Sequence, residues 1–224
     1  MNVLGFDTST AATSACVLRA DGEAFEVIPE DAALAGPPGH ARELMPAIAR
    51  VMGEAEVGWG DLDAIAPGVG PGTFTGLRIG VATARGLAHA HGAPLRPVSS
   101  LAALAAGIEA QLRLPLIDAR RGELFAALYE GEEERWPPFA AAPEALIERL
   151  GEEAWDDSPA LLAAGDGSLR FREELVTGGI RVAAAGAHAV RALHLCRLAK
   201  RVSDTPPEAV LPIYLREPNA KPQR

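Results

Sequence analysis

Two stretches lying 111 residues apart in a 224-residue chain constrain the fold most. "VLGFDTSTAATSACVL" (3–18) and "LPLIDARRGELFAALY" (114–129) align with Asp7 opposite Asp118. Each reads as an apolar strand ending in Asp, a short turn and a second apolar strand, which is a β-hairpin. The offset is half the chain length. Any two hairpins share this outline, and the identity is too thin to establish common descent. Period and placement nevertheless suggest an internal duplication. Each half also interleaves strands with helical patterns, so the expected class is α/β with a mixed sheet and helices in each half. The division falls at 1–105 and 106–224.

Helical spacing runs through "HARELMPAIARVMGEA" (40–55), where Leu44, Ile48 and Val51 recur on one side. Pro46 lies inside it and predicts either a kink or a first turn. "DLDAIAPGVGPG" (61–72) reads as a strand entering a loop, and Thr73 to His91 as a helix ended by Gly92 and Pro94. A short strand over 94–100 and a helix over "LAALAAGIEAQL" follow. The segment 130–143 is acidic and proline-rich, which predicts an exposed loop. "ALLAAGDGS" (160–168) reads as a strand and turn, 186–202 as a helix, and the proline-rich end as an extended surface segment.

Charge narrows the partners. The net charge of −9 argues against broad coating of nucleic acid. From Ala64 to Ile108 there is no acidic residue, only Arg78, Arg85 and Arg96. Such a window is either a buried or interface segment that tolerates few charges, or a surface for an acidic partner or RNA backbone. No apolar run is long enough to span a bilayer. The start "MNVLGFDTST" has no signal-peptide pattern. Cys16 and Cys196 fit a reducing cytoplasm as small buried residues.

The glycine-rich stretch "GVGPGTFTGLRIGVATARG" (68–86) invites a phosphate-cradle reading. A P-loop needs Lys after its last glycine; here Leu77 and Arg78 follow Gly76, and the chain's two lysines are Lys200 and Lys221. A dinucleotide fingerprint fits Gly70 and Gly72, but the third position falls on Thr75, and the acid-free window lacks the ribose ligand. His89 and His91 diverge on a helix, His188 and His194 do likewise, and His40 has no companion, so no metal constellation is visible. There is no nucleophile elbow, and Ser14, Ser99 and Ser100 have no evident partners.

Asp7 and Asp118 are the remaining candidates. A strand-end Asp before a Ser/Thr turn can hold a magnesium-bound water beneath a nucleotide's phosphates. Two such turns facing each other would make a phosphotransferase, but "DTSTAA" has no glycine and "DARRGE" puts two arginines where backbone would approach phosphate. Gly76, Gly80, Ala84 and Ala88 are spaced by four and form a small-residue ridge. Such a ridge suits close approach by another helix or packing on the chain's own sheet.

Taken together, "GFDTST" (5–10), "GPGTFTGLRIGVATARGLA" (70–88), "VSSLAALA" (98–105), "IDARRGELFAALY" (117–129) and "PIYLR" (212–216) resemble the bacterial TsaB (YeaZ) family over most of the chain. The resemblance implies an actin-like ATPase (ribonuclease H-like) duplication of two subdomains. It implies a non-catalytic subunit in threonylcarbamoylation of tRNA adenosine beside the anticodon. Its partners would be a TsaD-type catalytic subunit, a TsaE-type ATPase, a second copy of itself when alone, and tRNA through the complex. It would have no cofactor of its own, with ATP or ADP at the interface of the assembled complex. The helices over 40–55 and 73–91 would form the partner surface, here His40, Leu44, Ile48, Leu77, Gly80, Val81 and Ala84. Asp7, Thr8, Ser9, Gly70, Gly72 and Thr73 would lie nearest a nucleotide. The metal-binding histidine pair of TsaD has no counterpart in "PVSSLAAL". The alternative is a free-standing phosphotransferase or a glycoprotease-like peptidase.

Overall fold

The computed structural model describes residues 1–153 and 160–216. The first half forms a four-stranded sheet from β1 (Val3–Asp7), β2 (Ser14–Leu18), β3 (Ala24–Val27) and β4 (Ala64–Pro67), in the order β3-β2-β1-β4. β1 pairs antiparallel with β2, Asp7 opposite Ser14, and parallel with β4, Val3 opposite Ala64. The second half repeats this plan. β5 (Leu112–Arg120), β6 (Glu123–Glu130), β7 (Glu133–Ala141), β8 (Leu161–Ala164) and the short β9 (Arg181–Val182) give the order β7-β6-β5-β8-β9. Again the first strand pairs antiparallel with the second and parallel with the fourth. Both hairpins fall where the repeat placed them, and the architecture is the α/β class expected, with a mixed sheet in each half.

Helices complete a layered stack. α1 (Asp31–Leu34) and α2 (His40–Glu54) follow β3; α3 (Phe74–His91) and α4 (Ser100–Ala106) follow β4. α5 (Pro143–Glu152), α6 (Asp166–Arg170), α7 (Arg172–Thr177) and α8 (Ala192–Ala199) belong to the second half of the chain. Strand alternation decides which face meets which helix. Leu4 and Phe6 pack with Leu44, Ile48, Val51, Val81 and Ala84 on the outer face of the first sheet. Val3 and Cys16 point the other way, into a core shared with Leu101, Leu104, Ile117, Phe125, Leu195 and Cys196. That core lies between the two sheets and is built by α4 and α8. α8, late in the sequence, packs on β1 and β2, while α4 packs on β5. A cut at 105/106 divides the sequence, yet each half gives one helix to the other's sheet.

Four local expectations need correction. The 130–143 segment forms β7, not a loop: it is the edge of its sheet, and Pro137 and Pro138 sit where the pairing with β6 is irregular, so no central ladder bond is lost. The helix from Ser100 stops at Ala106, and the chain is a strand again by Leu112. The 186–202 helix is confined to Ala192–Ala199, because Gly186 is left-handed (φ 89°) and Arg191 is extended. Residues 94–98 make isolated bridges, Leu95 to Ile65 and Val98 to Gly68, rather than a full strand. Pro46 is tolerated inside α2, which begins at His40.

The end of the chain forms a strap along the first half. Thr205 donates to the Leu95 carbonyl (2.8 Å) and Ile213 to that of Val69 (2.7 Å). All three arginines of the acid-free window serve it. Arg85 donates to the carbonyls of Glu208 and Val210, Arg96 pairs with Asp204 (2.6 Å), and Arg78 lies over the Phe74 ring and donates to the Tyr214 hydroxyl. The window's positive charge is thus engaged within the chain.

Candidate functional site

The turn after β1 is sealed. Asp7, Thr8, Ser9 and Thr10 are buried, each at most 2% exposed. Asp7 Oδ1 accepts from the Ser9 amide (2.7 Å) and hydroxyl (2.6 Å), and Oδ2 accepts from Ser100 Oγ (2.6 Å). Ser100 Oγ also accepts from the Gly70 amide (3.2 Å). Burial raises the Asp7 carboxyl above its ordinary value, and the hydrogen bonds from Ser100 and Ser9 oppose the rise. A carboxylate this enclosed has no face for a hydrated ion. Sequence reading quoted Ser100 but found it no partner. The pairing spans 93 residues and carries no local signal.

The glycines of 68–80 explain the seal. A Cβ at Gly68 would overlap the Asp7 carboxylate, and one at Gly72 the backbone of Ser9. At Gly76 it would overlap the Thr8 carbonyl oxygen, and at Gly80 it would lie 2.5 Å from Thr8 Oγ1. Thr8 Oγ1 donates to the Gly76 carbonyl (2.8 Å), and the Thr73 amide donates to the Ser9 carbonyl (2.7 Å). The small-residue ridge of α3 is therefore smooth for the chain's own β1–β2 turn. Of the nucleotide candidates, Asp7, Thr8, Ser9 and Gly70 are interior, and Gly72 and Thr73 reach the surface of a cleft.

The expected partner residues need a similar correction. His40, Leu44, Ile48, Leu77, Gly80, Val81 and Ala84 are all buried in the chain's own interior. His40 Nε2–H donates to the Thr10 carbonyl (3.0 Å) and Nδ1 meets Thr13 Oγ1 (2.8 Å), so it fastens α2 to the same turn. The apolar periodicity identified the helices and their buried stripe. It could not distinguish a stripe facing the sheet from one facing a partner.

Asp118 has no such seal, but its charge is spent. Its Oδ1 accepts from the Arg120 amide (2.7 Å), and Oδ2 meets the guanidinium groups of Arg120 (3.1 Å) and Arg170 (3.6 Å). Its own amide donates to Asp166 Oδ1 (2.9 Å). Burial pushes the Asp166 carboxyl up to about 6; the Asp118 amide opposes this and the Asp118 charge adds to it. The folded state therefore holds this proton more tightly than the unfolded chain. Stability contributed by protonated Asp166 is present below about pH 4 and is lost as pH rises through about 6. The displacement corresponds to roughly 3 kcal/mol. His194 works in the opposite sense, because burial and then Arg191 and Arg197 push it down to about 4. The expected result is that Asp166→Asn, which keeps an acceptor for the Asp118 amide, gains stability over wild type as pH rises from 4 to 7. Urea denaturation across that range checks it; parallel pH profiles would refute the assignment.

Between the halves lies a cleft of about 740 Å³. The starts of α2 and α3 form one wall, and the β5–β6 turn and the strap form the other. Among the described residues no group of three or more His, Cys, Asp or Glu side chains converges as metal ligands. His91 is stacked on Trp59 (4.4 Å), and His188 is fully buried against Ser168 and the Gly165 amide. No helix among the described residues is long and apolar enough to cross a membrane.

A family model described as "TsaD: tRNA N6-adenosine threonylcarbamoyltransferase" matches residues 25–174. The Bacillus subtilis (strain 168) "tRNA threonylcarbamoyladenosine biosynthesis protein TsaB" is 31% identical, over 96% of this chain and 94% of its own. The chain belongs to the TsaB (YeaZ) family. An uncharacterized protein of Mycobacterium tuberculosis (strain H37Rv) is 34% identical over 98% of this TsaB-family chain and 94% of its own. Of a longer uncharacterized Mycobacterium leprae protein, 38% identical, the chain spans about a third (35%). The solved structure "YeaZ from Pseudomonas aeruginosa" superposes with a TM-score of 0.75 at 29% identity, covering 96% of this chain and 99% of that one. Ser99 caps α4 by accepting from the Ala102 amide (3.3 Å), and Ser100 secures Asp7.

Proposed function

We propose that this chain is the non-catalytic subunit that a TsaD-type transferase requires to threonylcarbamoylate tRNA adenosine beside the anticodon. One observation carries the reading against a free-standing phosphotransferase. The carboxylate that such an enzyme would turn toward a metal-nucleotide is enclosed and fully hydrogen-bonded by Ser9 and Ser100. The name of the Bacillus subtilis relative, matched over 94% of its length, supports the pathway. The partner surface is the outward side of the two helices. α2 exposes Ala41, Met45 and Ala49, with Met45 47% exposed, and α3 exposes Ala82 and Gly86. Small side chains around one large apolar residue allow close helix packing. A TsaE-type ATPase and tRNA join through the assembled complex in the cytoplasm, with ATP or ADP at its interface. The isolated chain pairs with a second copy through the same helices.

Reconstitution tests this. With TsaD-type and TsaE-type subunits, a threonylcarbamoyl donor and tRNA, modification falls to background when this chain is left out. Full modification without it, or peptide or phosphoryl turnover by the purified chain alone, would overturn the proposal.

A further inference from the structure

We propose that the open edge of the second sheet, at the groove between β9 and α7, takes up an extended acidic peptide segment of another protein as a further strand. β9 ends the order β7-β6-β5-β8-β9, and among the described residues no strand pairs with its outer side. On its inner side β9 runs parallel to β8, and the Ala183 amide donates to the Ala163 carbonyl (2.8 Å). Residues of a strand alternate in the side to which their backbone groups point, so the Val182 amide and carbonyl face away from β8. Neither has a backbone partner among the described residues. A free donor and acceptor on a sheet edge are a template for another extended chain.

The two edges of this sheet differ in chemistry. β7, at the far end, carries Glu133, Glu134, Pro137 and Pro138, the charges and prolines that keep an edge from pairing. β9 carries Arg181 and Val182, with Ala183 and Ala184 after them, and has neither a proline nor a carboxylate. Its guard is its shortness. Main-chain bonds to so short a strand are few, so side-chain contacts in the adjoining groove must supply selectivity.

That groove, of about 500 Å³, combines Leu162, Val176 and Ile180 with Arg172 and Arg181, and no acidic residue lines it. Val176 is a large apolar residue, yet it is 55% exposed. Arg172 donates to the Ala183 carbonyl (3.2 Å), which holds its guanidinium at the groove without a counter-charge. Arg181 is exposed and has no hydrogen-bond or ion-pair partner among the described residues. The glutamates next to Arg172 on α7, Glu173 and Glu174, line a separate groove against α5. In a chain of net charge −9 this edge is therefore locally basic. Arg181 and Val182 point to opposite faces of the sheet, and Val182 packs on the α7 side with Leu175 and Ile180. A strand added here meets apolar surface on one face and Arg181 on the other, which selects alternating apolar and acidic residues. A nucleic acid has no amide groups to pair with Val182, so a peptide is the better fit.

An NMR titration of the full chain tests this, with a blocked Val-Glu-Val-Glu-Val peptide, its Val-Lys-Val-Lys-Val counterpart, a fully N-methylated acidic peptide and a single-stranded RNA oligomer as probes. The acidic peptide shifts the amide signals of 180–184 saturably; the lysine and N-methylated peptides do not. Arg181→Glu weakens the acidic peptide by about tenfold or more and admits the lysine peptide, at an unchanged melting temperature. Val182→Pro removes the outward amide without removing a bond to β8, and it abolishes binding. If that variant fails to fold, the N-methylated peptide makes the same deletion from the other side. No saturable shift at 180–184 would overturn the proposal, as would equal binding of the acidic and lysine peptides or binding that survives N-methylation. Shifts at these amides with the RNA alone would assign the arginines to a nucleic acid instead, and a concentration-dependent dimer lost in Val182→Pro would assign the edge to a second copy of the chain.

Discussion

Gly76→Val will unfold the isolated chain or cost it at least about 3 kcal/mol, while Gly86→Ala on the same helix will stabilise it by about 0.5–1 kcal/mol. Both glycines sit within α3, so helix propensity alone predicts that both substitutions help. Their surroundings reverse the sign for one. At Gly76 the new Cβ overlaps the backbone carbonyl oxygen of Thr8, and that oxygen cannot swing away as a flexible side chain could. Relief requires α3 to move off the β1–β2 turn. That would break the Thr8–Gly76 bond and loosen the Asp7–Ser100 contact at the strand end. At Gly86 a Cβ meets nothing and the residue is exposed. Equilibrium urea denaturation of the two variants decides it. A folded Gly76→Val chain of wild-type stability would show that the ridge does not pack on the turn.

Met45→Glu will weaken binding of the TsaD-type partner by at least about thirtyfold, a loss of roughly 2 kcal/mol, without lowering the stability of the free chain. Ile48→Ala, one turn along α2, will cost about 2–5 kcal/mol of stability and leave binding by the folded fraction unchanged. The contrast follows from which side of α2 each occupies. Ile48 is fully buried against Leu4, Phe6 and Val17, so its truncation leaves a cavity. Met45 is 47% exposed and supplies the large apolar side chain on the outward face. A carboxylate there remains solvated in the free chain and is desolvated only in the complex. Calorimetry with the purified partner, beside thermal melts of each variant, separates the two effects. Unchanged affinity for Met45→Glu would remove this face of α2 from the interface.

The two halves differ in what their packing demands. β1 carries Gly5 where α8 crosses it, and a Cβ there would lie 2.7 Å from Cys196 Sγ and 2.8 Å from the Ala192 carbonyl oxygen. Both cysteines are fully buried in this seam, and burial pushes the Cys196 thiol well up. Their role is to fill space between sheet and helix, which agrees with reading them as small apolar residues. Among the described residues, the second half has no helix with an equivalent of α3's glycine ridge. The short α6 follows β8 there, and Asp166 takes the Asp118 amide as its partner.

What the linear order of residues determined was local and periodic. The two Asp-terminated hairpins, the stripe Leu44–Ile48–Val51, and the end of α3 at a left-handed Gly92 all follow from side-chain period and turn chemistry acting within a few residues. The missing lysine and missing third glycine removed the phosphate-loop readings on the same local grounds. The tertiary structure alone decided what those elements face. Gly76 and Gly80 meet Thr8, Ser100 ties off Asp7, and α8 packs on the first sheet, all across separations of about 70 to 190 residues. A ridge of small residues looks the same from sequence whether its neighbour is another chain or its own turn. Only the three-dimensional path of the backbone chooses between them. That choice turned the glycine-rich stretch from a phosphate cradle into the seal over the first carboxylate.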